Sequence, residues 1–149
     1  MKLLVATDGS PASEGALAYA TVIADATDGS ITIVHAVDPN VYQEGGKEAI
    51  SGLSDPDRRI LIESIEDAEK GGADLLEDGV EFAAELGQEV ETALFYGDPV
   101  TKITDYAEEE EFDSIFVGHR GRSQRTDLVL GSVATDVVQR ATIPVTVGR

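Results

Sequence analysis

The chain has 149 residues, 42% of them apolar, the size of one ordinary domain (1–149) with enough hydrophobic content for a sizeable core. Acidic residues outnumber basic ones 29 to 11, a formal charge of −18, and such a surface repels nucleic-acid backbones and anionic membranes. There is no cysteine, which excludes disulfide frameworks, thiolate metal sites and cysteine nucleophiles.

From the N-terminus, Lys2–Thr7 (KLLVAT) is a short apolar run, β-branched at its end, and reads as a buried strand. It is too short, and broken too early at Asp8, for a leader peptide, and no later run reaches membrane-spanning length. The expectation is a soluble, cytoplasmic protein. At Asp8-Gly9-Ser10-Pro11 the pattern changes: Ser10 suits a helix N-cap and Pro11 the first helical position, where a missing N–H costs nothing. Ala16, Leu17, Ala20, Ile23 and Ala24 then mark one face of a helix ending near Asp28-Gly29. A second strand is predicted at Ser30–Val37 (SITIVHAV), where His35 reads as a satisfied interior or rim histidine. Residues 38–56 show no periodicity and carry Gly45, Gly46, Gly52 and Pro56, which predicts a loop.

From about Asp57 apolar positions recur at helical spacing through Leu86, with Gly71-Gly72 and Gly79 leaving open one bent helix or two. Glu89–Tyr96 alternates as a third strand, and Gly97-Asp98-Pro99 repeats the strand-to-helix device with Asp98 as cap. A short helix runs to a solvated Glu108–Glu111, and Ser114–Val117 is the fourth strand. Ser132–Ala141 is a helix and Ile143–Val147 (IPVTV) the fifth strand. Strands alternating with helices predict an α/β fold: an open five-stranded parallel sheet with helices on both faces, Rossmann-like. Ligands of such sheets bind beyond the strand carboxyl ends, where Thr7-Asp8 and Val117-Gly118 both lie.

The stretch VGHRGRSQRTDLVLGS, Val117–Ser132, holds the chemistry. Gly118, Gly121 and Gly131-Ser132 form the spacing G-x2-G-x9-G-S, in which missing Cβ atoms allow a close backbone approach or a positive φ. Gly131-Ser132 opens a helix, where free N–H groups and the dipole favour an anion. Arg120, Arg122 and Arg125 against Asp127 make this stretch locally positive in an acidic chain, which points to phosphate. It is not a Walker loop, since neither GxxxxGK[ST] nor GxGxxG occurs. His119 lies close by with no acid or base at a recognisable spacing, so no catalytic residue is assigned.

These segments resemble the universal stress protein (UspA-like) family: VATDGSPASEGALAYA, ITIVHAVD, YGDPVTKITDYAEEEEFDSIFVGHRGRS and LGSVATDVVQRATIPVTVGR span the length of the chain. G-x2-G-x9-G-[ST] is the signature of the family's ATP-binding branch. The resemblance implies sheet order 3-2-1-4-5 and a homodimer through the last strand, Ile143–Val147. It implies ATP with Mg²⁺ as ligand, held by Thr7 and Asp8 at ribose or adenine and by Ala36 and Val37 at the adenine edge. Gly118, Gly121, Gly131, Ser132 and Val133 would cradle phosphate with Arg120 and Arg122. Family members commonly carry Ser or Thr where this chain has His119.

Three functions are consistent with these residues. The first is a nucleotide-dependent stress regulator acting on protein partners unknown, with loop 38–56 as its moving element. The second is a slow Mg²⁺-dependent ATPase, and the third a pure interaction module. The charge of −18 carries a separate expectation, adaptation to high internal salt. Its check is a melting curve against KCl: the melting temperature is expected to rise between dilute buffer and molar salt, and a flat response removes the idea.

Overall fold

The computed structural model describes residues 1–37, 55–121 and 130–149, and over 55–65 the backbone alone. In chain order the elements are β1 (Lys2–Ala6), α1 (Pro11–Thr27), β2 (Ser30–Val37), α2 (Asp55–Glu85) and β3 (Val90–Tyr96). These are followed by α3 (Pro99–Glu109), β4 (Ser114–Gly118), α4 (Ser132–Arg140) and β5 (Val145–Gly148). All strand pairs are parallel, in the order β3-β2-β1-β4-β5. The open parallel sheet and its order therefore match expectation.

β1 lies at the centre because its apolar run can be covered on both sides: Leu3, Leu4 and Val5 are all fully buried. Their alternation feeds two cores. Leu3, Val5, Ile31, Ile33 and Phe116 pack under α1 and α2, whose contributions include Ala16, Leu17, Ala20 and Leu76. Leu4, Val34, Ile115 and Val117 pack on the opposite face against Ile103, Ala107, Ala134 and Val137 of α3 and α4. Full burial of each large aliphatic side chain is worth about 1.5–3 kcal/mol, so this central layer carries much of the fold.

The two predicted caps are in place. Ser10 Oγ accepts from Ser13 N–H at the start of α1, with Pro11 as the first helical residue. Asp98 accepts from Thr101 N–H at 2.9 Å and Thr101 Oγ–H at 2.8 Å, and these two bonds hold its carboxyl below the ordinary carboxylate range. At the end of α1 Asp28 takes the left-handed conformation (φ 53°), tolerable for Asp, and its N–H closes the helix on Ala24 O.

Two boundaries differ from expectation. α2, which the spacing left open as one helix or two, is one helix of 31 residues, and it opens at Asp55 within the predicted loop. A Cβ on Gly72 would approach His35 Cδ2 and Leu94 Cδ1 to 3.0 Å, and one on Gly79 would approach Ile33 Cδ1 to 3.1 Å. These glycines, two turns apart, let the helix lie close on β2 and β3, and that packing offsets the roughly 1 kcal/mol each costs in helix propensity. β5 begins at Val145 rather than Ile143 because Pro144 has no N–H to donate. Its carbonyl instead accepts from Ile115 N–H at 2.9 Å and Ser114 Oγ–H at 3.1 Å. The rest of the predicted loop, residues 38–54, lies outside the described residues.

Candidate functional site

β1 and β4 are neighbours at the centre of the sheet, and the chain runs outward from them in opposite directions. The connections leaving their carboxyl ends therefore diverge to opposite faces and leave a crevice. A cleft of about 1160 Å³ occupies it. Its wall includes Thr7 and Asp8 after β1, Ala36 and Val37 at the end of β2, Gly118, Arg120 and Gly121 after β4, and Gly131, Ser132 and Val133 at α4. Ten of the eleven residues expected from the sequence thus share one concavity, although they come from four separate segments. Arg122 lies outside the described residues.

The turn after β1 is built by its own side chains. Asp8 Oδ1 accepts from Ser10 N–H at 2.9 Å, while Thr7 Oγ1 lies 3.2 Å from Ser13 Oγ and accepts from Gly9 N–H at 3.3 Å. Asp8 therefore does cap a turn, and the same bond fixes where its second oxygen stands. A Cβ on Gly121 would fall 2.9 Å from Asp8 Oδ2, so the absence of a side chain at Gly121 lets the loop after β4 close onto Asp8.

Gly118 is a glycine for a different reason. A Cβ there would come to 2.7 Å from Ser13 N and 2.8 Å from Ala12 C, the backbone of the first turn of α1. Among the described residues neither Gly118, Gly121 nor Gly131 has a positive φ, so at all three the glycine supplies space rather than an unusual conformation.

α4 differs from α1 and α3 at its N-terminus. Its cap is Gly131, with φ −71° and ψ 167°, and among the described residues no side chain accepts from its opening N–H groups. Ser132, which could have been the cap, is the first helical residue instead. The opening N–H groups of α4 therefore lack the side-chain oxygen that Ser10 and Asp98 give the other two helices, and they border the cleft. An anion placed there gains both the N–H groups and the positive end of the helix dipole. Gly131 is pinned by its own N–H donating to His119 O at 2.6 Å, which joins the two halves of the glycine motif.

His35 lines the cleft as the rim histidine expected from the sequence, its Nδ1–H donating to Thr7 O at 2.8 Å. One further feature escaped sequence reasoning. Asp67, Asp74 and Asp78 of α2, with Asp98 and Asp136, also line the wall. Nothing in their local pattern separates them from solvated helix faces. They oppose a polyanion, and Asp136 lies on α4 itself, so attraction for phosphate rests on the opening N–H groups of that helix and on Arg120 rather than on the net charge of the cleft. No group of three or more His, Cys, Asp or Glu that could hold a metal occurs among the described residues. No helix among the described residues is long and apolar enough to cross a membrane.

Comparison with known proteins agrees with this geometry. The model of the universal stress protein family matches residues 1–149. The chain is 33% identical over 154 aligned residues to universal stress protein YxiE of Bacillus subtilis, covering 99% of this chain and 98% of that protein. It is similar in structure to universal stress protein UspA from Lactobacillus plantarum, with TM-score 0.82, 25% identity, and coverage of 100% and 97%. A universal stress protein from Archaeoglobus fulgidus in complex with dAMP is also similar, with TM-score 0.67, 26% identity, and coverage of 100% and 98%.

Proposed function

The chain belongs to the universal stress protein family, and from that premise we propose that it binds ATP in the switch-point cleft and acts as a nucleotide-dependent stress regulator. The observation that carries this reading is the N-terminus of α4, capped by a glycine and, among the described residues, without a side-chain acceptor, beside Gly121 and Arg120. Phosphate supplies the missing acceptors, Asp8 and Thr7 lie within the same cleft for ribose hydroxyls or adenine, and the ends of β2 border the base. The dAMP complex of the A. fulgidus relative supports an adenine nucleotide as the ligand class. ATP, with Mg²⁺ carried on its phosphates, is the nucleotide we assign, and the cytoplasm, where such a regulator meets its ATP pool, is the location.

Regulation requires that the nucleotide favour one of two conformations or assemblies. β5 offers an assembly route: among the described residues it pairs only with β4, bears no charge, and leaves Val145–Gly148 half-buried at the sheet edge. Pairing this edge with that of a second copy would cover it. Light scattering in molar KCl is expected to return twice the chain mass, and a single-chain mass removes the dimer from this reading. The direct test of binding is equilibrium dialysis with ATP in molar KCl containing Mg²⁺. One ATP retained per chain is expected, with competition by adenine nucleotides but not by uridine nucleotides. No retention at millimolar ATP would leave the interaction-module reading in its place.

A further inference from the structure

The loop between β4 and α4 pairs Arg120, already placed at the cleft, with a histidine that the nucleotide reading does not use. His119 is half-buried, and both of its ring nitrogens are engaged. Nδ1 lies 3.2 Å from Gly148 O, the same carbonyl that accepts from His119 N–H at 2.7 Å. On the other side of the ring, Arg120 Nε–H donates to Nε2 at 2.9 Å. A carbonyl can only accept and an arginine Nε–H can only donate, so the two contacts together require a neutral ring with its proton on Nδ1.

This arrangement constrains Arg120. A guanidinium is planar, so fixing the direction of its Nε–H fixes the plane and aim of the two terminal nitrogens. Those nitrogens bond no carboxylate among the described residues, although the chain carries 29 acidic side chains. Arg120 lines the cleft, and Gly131 at the cap of α4 lies against its Cα. Among the described residues the arginine therefore enters no ion pair, and it stands beside the glycine-capped end of α4. We propose that His119 is a positioning residue: it braces between Gly148 O and Arg120 Nε and aims the Arg120 fork at the phosphates of the bound nucleotide. The proposal rests on the nucleotide reading above and specifies how that site discriminates phosphorylated from unphosphorylated adenosine.

The opposite role, in which His119 holds Arg120 away from the ligand, makes the opposite prediction for ATP affinity. Two near-isosteric replacements separate the roles. An Asn side chain can reproduce the Nδ1 donor toward Gly148 O but offers nothing at the Nε2 position, whereas a Gln side chain places an acceptor oxygen there. The experiment measures the dissociation constants of ATP and of adenosine by calorimetry in molar KCl. It uses the unaltered protein, His119→Asn, His119→Gln, Arg120→Ala and the double variant His119→Asn/Arg120→Ala, each checked for an unchanged melting temperature. For a positioning residue, His119→Asn weakens ATP about tenfold, the size of a lost charge-assisted contact. Adenosine is unaffected, His119→Gln restores most of the ATP affinity, and His119→Asn costs nothing further once Arg120 is alanine. ATP affinity that rises or stays unchanged in His119→Asn overturns the proposal, as does equal weakening of adenosine. Failure of the unaltered protein to bind ATP would overturn the nucleotide reading itself, and this inference with it.

Discussion

Gly118→Ala is expected to lower the stability of the free protein by about 3 kcal/mol, measured by denaturant unfolding in molar KCl, with a fall in melting temperature of about 6–12 °C. The new Cβ would meet Ser13 N at 2.7 Å and Ala12 C at 2.8 Å. Both are backbone atoms of a helix turn that is also held by Ser10 Oγ, so no side chain can swing aside to make room. α1 would have to lift from the sheet, and Ala12, Ala16 and Leu17, all at most 6% exposed, would lose contacts as it moved. Gly71→Ala is the matching control. Nothing lies within 4 Å of its added Cβ, and it sits within α2, so a gain of up to about 1 kcal/mol is expected there. A Gly118→Ala protein that melts within a degree of the unaltered chain would mean that α1 does not seat on β4 as described.

Nucleotide binding should appear as a second large effect, separable from the first. ATP at 100 times its dissociation constant adds about 2.7 kcal/mol to a folded state that alone binds it, or about 5–10 °C for a domain of this size. In Gly121→Val that stabilisation is expected to vanish while the ligand-free melting temperature changes by less than about 3 °C. Among the described residues the added Cβ at Gly121 meets only Asp8 Oδ2, at 2.9 Å, the end of a side chain at the cleft wall rather than backbone or core. The displaced carboxylate and the new isopropyl group would both occupy space the ligand needs. Retention of the full ATP-dependent shift in Gly121→Val would place the nucleotide elsewhere. Loss of the ligand-free fold would mean that Gly121, like Gly118, belongs to the packing of the domain. Within one signature, then, the two glycines are expected to fail in different ways.

The elements and their caps were readable because their signals are local. A buried strand such as Lys2–Ala6 shows itself by a continuous apolar run, and Ser10-Pro11 and Asp98-Pro99 mark helix starts through bonds that span three residues. The alternation of strands and helices then restricts the fold to a covered parallel sheet, and the glycine motif points to the side of the sheet where a phosphate belongs. Tertiary structure decided whatever depends on partners distant in sequence. That α2 runs unbroken through Gly72 and Gly79 follows from the surfaces of His35, Leu94 and Ile33, which reward close approach by more than the glycines cost in propensity. Asp67, Asp74 and Asp78 border the cleft only because that helix docks on β2 and β3. The role of His119 arises where the end of β5 brings Gly148 O against its ring, a juxtaposition that no local period encodes. The sequence alone set the periodicity, the caps and the phosphate-directed motif, because each acts over a few residues. The contacts that assign each glycine and histidine its task came from the packing of the sheet, because burial and hydrogen-bond satisfaction are properties of the whole chain.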